Sequence, residues 1–182
     1  MNPPRLSHPA MGAVEEHKAH APKSVRCAVI TISDSRTEAT DESGALLRKL
    51  LADAGHRVEF LKIVKDEADP IRDAVDEAAR RAEAILTNGG TGLAPRDVTI
   101  ETLEPKLDKV LPGFGELFRM LSYERIGSAA MMSRALAGVY KGALIFCLPG
   151  SPDAVSLAME SLILPELGHA VGVMRRTANL LP

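Results

Sequence analysis

Apolar and polar positions along this chain follow two rhythms in turn. Val25-Arg26-Cys27-Ala28-Val29-Ile30-Thr31-Ile32 is an almost continuous β-branched run, the pattern of a strand covered on both faces in a parallel sheet. Arg57-Val58-Glu59-Phe60-Leu61-Lys62-Ile63-Val64 alternates polar with apolar, predicting a strand with one face less buried, nearer the sheet edge. Ala84-Ile85-Leu86-Thr87 and Gly142–Leu148 predict two further strands. Between them the period changes. Leu46, Leu47, Leu50, Leu51 and Ala54 recur at helical spacing, from an N-cap at Asp41 to a stop at Gly55. Asp69-Pro70 predicts an N-cap and first-turn proline for a helix whose inner stripe is Ile71, Val75, Ala78, Ala79 and Ala82. A short helix is expected from about Ile100 to Glu104, stopped by Pro105, and another after Pro112-Gly113-Phe114-Gly115, through Leu117, Phe118, Met120 and Leu121. Gly127–Ala137 reads as loop plus a helical piece, and Ala154–Leu164 and Pro165–Val173 as two closing helices.

Strands alternating with helices of this length mean right-handed crossovers, hence an α/β fold of three layers, α/β/α, around a mostly parallel sheet. In such sheets ligands sit beyond the carboxyl ends of the strands. The polar candidates stand at those ends: Ser33, Asp34 and Arg36 after the first strand, Asp66 after the second, Asn88-Gly89-Gly90-Thr91-Gly92 with Arg96-Asp97 after the third, and Pro149-Gly150-Ser151-Pro152 after the last.

Composition narrows the field. A chain of 182 residues is the size of one substantial domain, and a formal net charge of −2 points to no polyanion or membrane-surface partner. Aromatic residues are 3% with no Trp, so there is no row of stacking platforms for single-stranded nucleic acid. Cys27 and Cys147 lie inside apolar runs without metal or redox spacing and read as buried thiols in a reducing, cytoplasmic setting. No signal peptide or membrane span is expected. Residues 1–24, with four prolines and His8, His17 and His20 at irregular spacing, read as a flexible extension to a domain covering 25–182. No GxxxxGK[ST] or GxGxxG is present, nor a zinc spacing or nucleophile elbow, which argues against a P-loop ATPase or a dehydrogenase.

The glycine-rich stretch carries the chemistry. Glycine reaches positive φ and brings the backbone close to a ligand, so consecutive N–H groups can receive a phosphate; a plain strand-to-helix turn is the alternative. The pair Arg96-Asp97 that follows favours the phosphate, since arginine grips an anion with two hydrogen bonds and a carboxylate can hold a divalent metal. Asp66 reads either as a second metal-capable acid or as a loop residue before a helix, and Asp97 either as the first or as a cap on the helix at Ile100. Arg36 is a phosphate candidate or a solvated loop charge.

Taken in order, Thr31-Ile32-Ser33-Asp34-Ser35-Arg36, Asp41-x-Ser43-Gly44, Asp66-Glu67, Asn88–Gly92, Arg96-Asp97-Val98-Thr99, Pro112-Gly113-Phe114-Gly115, Ser133-Arg134-Ala135 and Leu148–Pro152 closely resemble the MoaB/MogA family over residues 25–175, with the Pro112–Tyr123 stretch closer to the MoaB branch. The resemblance implies the MogA-like molybdopterin-binding fold and a role in molybdenum cofactor biosynthesis. Active members transfer AMP from Mg-ATP to the terminal phosphate of molybdopterin and release pyrophosphate; the alternative is a molybdopterin-binding or scaffold protein of the same pathway, meeting other pathway enzymes. By resemblance, Asp66 and Asp97 are the catalytic and Mg2+-holding acids. Gly89, Gly90, Thr91 and Gly92 cradle the nucleotide phosphates, with Asp34 near the adenosine side and Ser43 a further polar contact. Ser133, Arg134, Pro149, Gly150 and Ser151 hold molybdopterin, or Arg134 instead makes an interface ion pair. The assembly implied is a homotrimer or a dimer of trimers.

Overall fold

The computed structural model describes residues 21–178. Six strands form one sheet: β1 (Arg26–Ile32), β2 (Arg57–Val64), β3 (Ala84–Asn88), β4 (Lys109–Val110), β5 (Leu136–Tyr140) and β6 (Ala143–Leu148), in the order β2-β1-β3-β6-β5-β4. The first four in that order run parallel, and β5 lies antiparallel between β6 and β4. The alternating strand β2 is indeed the edge, while β3 and β6 are buried along their whole length.

Helices cover both faces, as expected. Against one face pack Leu47 and Leu51 of α1 (Glu42–Asp53), Phe114 and Phe118 of α4 (Pro112–Ile126), and the apolar stripe of the last helices. Against the other pack Ile71, Ala74, Val75 and Ala78 of α2 (Ala68–Ala79) and Leu103 of α3 (Thr99–Leu103). With so few aromatics, branched and small aliphatics fill both layers, and Phe114 sets its ring edge-on to Phe146 at 5.3 Å between centroids. Cys27 and Cys147 are buried free thiols, each pushed up to about 12, chiefly by burial, and so inert.

Several boundaries differ from the sequence reading, each for a local reason. Glu67, not Asp69, is the cap of α2; Asp69 and Pro70 sit inside its first turn, where an N–H has no intrahelical partner to lose. Pro105 does not end the helix at Thr99–Leu103 outright but sits in the tighter turn Glu104–Lys106 that continues it. The Pro112-Gly113-Phe114-Gly115 motif forms the first turns of α4 rather than preceding it. The segment expected to be loop and helix up to Ala137 is a 3-10 turn, Gly127–Met132, followed by β5. Strand β5 turns into β6 through Lys141 and Gly142, both at positive φ (48° and 78°), the geometry of a tight hairpin.

The two closing helices are one continuous rod: α5 (Pro152–Ala158), a π-turn at Met159–Ile163, and α6 (Leu164–Ala178). Pro165 lacks the N–H that would reach Ser161, and the wider turn just before it takes up the misfit. Contrary to expectation, the stretch Pro152–Arg175 is long and apolar enough to cross a membrane. Here Val155, Leu157, Met159, Ile163, Leu167 and Val171 of that rod are buried in the core. Of the expected N-terminal extension, residues 1–20 lie outside the described residues. Ala21 and Pro22 pack on the rod, where a Cβ at Gly168 would stand 2.7 Å from the Pro22 carbonyl oxygen.

Candidate functional site

The carboxyl ends of β1, β3 and β6 are tied together by a buried polar network. Asn88 Nδ2 donates to Thr31 Oγ1 (2.9 Å), which donates to Asp41 Oδ2 (2.6 Å), while Asp41 Oδ1 caps α1 by accepting from the Gly44 N–H (2.9 Å). Ser43 Oγ donates to the Gly150 carbonyl (2.7 Å), so this hydroxyl fastens the β6 loop to α1. The network fixes the frame on which the glycine loop turns.

That loop is built by close approach. Gly89 and Gly90 have φ of 98° and 62°; a Cβ on Gly89 would meet the Ile32 carbonyl oxygen at 2.2 Å, and one on Gly90 would meet Thr99 Oγ1 at 2.3 Å and both Asp66 oxygens within 2.8 Å. The Gly89 N–H is taken by the Leu148 carbonyl (3.0 Å), so Gly89 contributes position rather than a donor. Thr99, fully buried, pins the loop twice: its Oγ1 donates to the Gly89 carbonyl (3.0 Å) and its N–H to that of Gly90 (2.9 Å). Among the described residues, no protein acceptor takes the N–H groups of Gly90, Thr91 and Gly92. These three donors are what an anion-binding concavity needs.

Two acids flank it. Asp66 lies over Gly90, accepting from the Val98 N–H (3.3 Å). Asp97 lies against Gly92, where a Cβ would stand 2.6 Å from its Oδ2, and closes its own turn by accepting from the Ala94 N–H (2.9 Å). Burial raises the Asp66 carboxyl above its ordinary value, and the charges of Asp97 and Asp34 add to the rise against the pull of the Val98 amide and Arg96. Asp34 accepts from the Asp66 N–H (3.4 Å) and pairs with Arg96 (2.6 Å), strapping the β1 loop to the loop after the glycines. Among the described residues no three His, Cys, Asp or Glu side chains gather as a metal-ligand set. Two carboxylates beside unclaimed amides nevertheless suit Mg2+, which takes one or two carboxylates and completes its shell with ligand oxygens and water.

Beside the glycines opens a cavity of about 400 Å3, lined by Gly89–Gly92, Asp97, Ser133, Arg134, Pro149 and Gly150 together with Ala129 and Met132. It is of the size that takes a small organic ligand. Of the sequence-assigned site residues, Gly89–Gly92, Asp97, Ser133, Arg134, Pro149 and Gly150 thus share one wall, while Asp34, Asp66 and Ser151 do not line it. Ser151 is the N-cap of α5, accepting from the Ala154 N–H (3.3 Å), and Asp66 lies against Gly90 without reaching the cavity lining. Arg134 makes an ion pair within its own chain: its two terminal nitrogens reach Glu101 Oε1 and Oε2 at 2.7 and 2.8 Å, and Nε donates to the Thr91 carbonyl (2.9 Å). Glu101 escaped the sequence reading because nothing in the spacing from α3 to position 134 signals that contact. Thr99 was visible only as the last residue of a motif.

Fold and site together define an α/β protein with a glycine loop of unclaimed amides and two flanking acids at the carboxyl edge of its sheet. Residues 28–169 match the family model described as a probable molybdopterin binding domain. Molybdenum cofactor biosynthesis protein B of Bacillus cereus is 54% identical over 167 residues, covering 90% of this chain and 99% of that one. A crystal structure of a molybdenum cofactor biosynthesis protein B superposes with a TM-score of 0.83 at 54% identity, over 86% of this chain and 99% of the other. The tungsten cofactor synthesizing protein MoaB from Pyrococcus furiosus follows at 0.78 and 38%, over 85% and 99%. The chain belongs to the MoaB/MogA family of molybdenum cofactor biosynthesis proteins.

Proposed function

We propose that this protein adenylylates molybdopterin. An oxygen of the molybdopterin phosphate attacks the α-phosphorus of ATP, a P–O bond forms, and the bond to the β-phosphate oxygen breaks with release of pyrophosphate. The observation that carries this reading is the set of unclaimed N–H groups of Gly90, Thr91 and Gly92 between the carboxylates of Asp66 and Asp97. Bringing a phosphate to a triphosphate requires that like charges be neutralised and aligned. The amides bind phosphate oxygens without adding bulk; Asp66 and Asp97 would hold Mg2+, which neutralises charge on the phosphates and assists the leaving pyrophosphate. Ser133 and Gly150 position the pterin arm in the cavity, and the Asp34–Arg96 strap holds Asp66 toward Gly90.

The same reading makes the protein a cytoplasmic homotrimer, or a pair of trimers. Leu117, Met120, Tyr123 and Ile126 of α4, with Met131 and Met132 beyond it, are exposed apolar residues in one region, which self-association would cover. Purified protein mixed with Mg-ATP and molybdopterin is expected to yield an AMP-molybdopterin adduct by mass spectrometry, with one pyrophosphate released per adduct. Molybdopterin bound but no adduct at saturating substrates overturns the enzyme reading and leaves a carrier.

A further inference from the structure

Arg134 is the one cationic side chain among the described residues lining the 400 Å3 cavity, and its guanidinium is already committed. Nε donates to the Thr91 carbonyl, and the two-pronged face that would grip a phosphate is forked onto Glu101 at 2.7 and 2.8 Å. Arg96 is likewise engaged, by Asp34 at 2.6 Å, and Arg36, which shares a smaller pocket with Gly89 and Gly150, donates to the Thr40 carbonyl at 2.8 Å. Around the glycine loop stand Asp34, Asp66, Asp97 and Glu101 against Arg36, Arg96 and Arg134, so the site's acids still outnumber its bases. A phosphate-binding cradle of that sign is poorly made for a bare anion.

We propose that Glu101 is a specificity-determining residue: by occupying the fork of Arg134, it makes the cavity select phosphate groups that arrive with a divalent cation over free ones. The inference rests on the reading of the cavity as a phosphate site. A bare pyrophosphate meets Asp97 uncompensated and gains Arg134 only by displacing a carboxylate that holds it in good two-pronged geometry. A metal-complexed pyrophosphate presents positive charge to Asp97 in the cavity wall and needs no release of Arg134. Neutralising Glu101 frees the fork while leaving the Nε contact that orients the Thr91 carbonyl, so the cradle keeps its shape. Glu101 does not itself line the cavity; its influence passes through Arg134.

The test is calorimetric titration of inorganic pyrophosphate into wild type and E101Q, once with all divalent cation chelated and once with Mg2+ in excess. E101Q is expected to bind bare pyrophosphate about five-fold more tightly, the worth of one well-formed, half-exposed charge pair, and Mg-pyrophosphate within about two-fold of wild type. The gain is expected to shrink as salt rises. Unchanged or weaker binding of bare pyrophosphate by E101Q overturns the proposal. If E101Q melts below wild type, titration is done at a temperature where it is folded and E101D is added; affinity for bare pyrophosphate must then rise from wild type through E101D to E101Q, and any other order overturns it. The readout is binding, so absence of AMP transfer together with the E101Q effect removes the enzyme reading and keeps this one. A wild type that binds neither form of pyrophosphate removes both.

Discussion

The two ends of the sheet treat charge in opposite ways. At the amino end, Glu83 receives Arg175 and Arg26, and although burial works against it, the hydrogen bonds it accepts from them hold its carboxyl below the ordinary value. Asp76 there accepts from Lys141 and Tyr140, Lys141 first in effect, and is lowered too. At the carboxyl end Asp66 is raised, with Asp97 and Asp34 adding to the effect of burial. One end has acids whose partners stabilise the fold; the other gathers acids that repel one another around free amides. Like-charge crowding of this kind persists where a ligand is meant to relieve it, which is why perturbed carboxyls mark functional ends.

The sharpest way to break this comparison is to remove the acids in turn. Asp97→Asn and Asp66→Asn are each expected to lower AMP transfer by at least about 100-fold in single-turnover measurements, the scale of losing a charge-stabilising group at a phosphoryl centre. Asp76→Asn at the other end is expected to stay within about two-fold of wild type. Equal losses from both ends would mean that the contrast reflects stability alone. Next in size is a pair of glycines with similar backbone. Gly90→Ala drives a methyl into Thr99 and Asp66, whereas Gly142→Ala, at φ 78°, meets nothing within 4 Å. Both variants carry the cost of a left-handed Ala, about 1 kcal/mol, but only Gly90→Ala is expected to abolish pyrophosphate binding. Calorimetry on both decides it.

How much of this could be read from the chain depended on how local the cause was. The buried strands β1, β3 and β6 and the loops they deliver were legible because an apolar run followed by Ser-Asp, Gly-Gly or Pro-Gly is a local signal. Strand β5 was not. Leu136, Ala137 and Gly138 are buried on both faces, so no alternation shows, and the hairpin after it puts Lys141, not a glycine, at its first positive φ. Asp66, Asp97 and the glycines were legible as residue types at strand ends. That the Gly89 N–H is spent on Leu148 and that Arg134 is held by Glu101 depends on chain segments meeting in space, which no spacing announces.

The smallest effects test the comparison through stability. Asp76 is lowered in the fold, so its contribution is present above the ordinary carboxyl range and lost as pH falls through its folded value; Asp76→Asn is expected to lower Tm by about 2–4 °C near pH 7 and to change little at acid pH. For Asp66 the sign reverses. Its carboxyl is raised in the fold, so the folded chain holds that proton more tightly than the unfolded one, and stability falls as pH climbs from the ordinary carboxyl range through the raised value. Asp66→Asn deletes that ionisation and keeps an oxygen for the Val98 N–H, so Tm is expected to rise by about 1–2 °C near pH 7, with the gain vanishing in acid. Melting curves of the two variants across pH would then diverge in opposite directions from a shared acid limit. A fall in Tm for Asp66→Asn at neutral pH would show that Asp66 is held as a cap for Val98 rather than crowded by its neighbours, and the distinction between the two ends would lose its electrostatic basis.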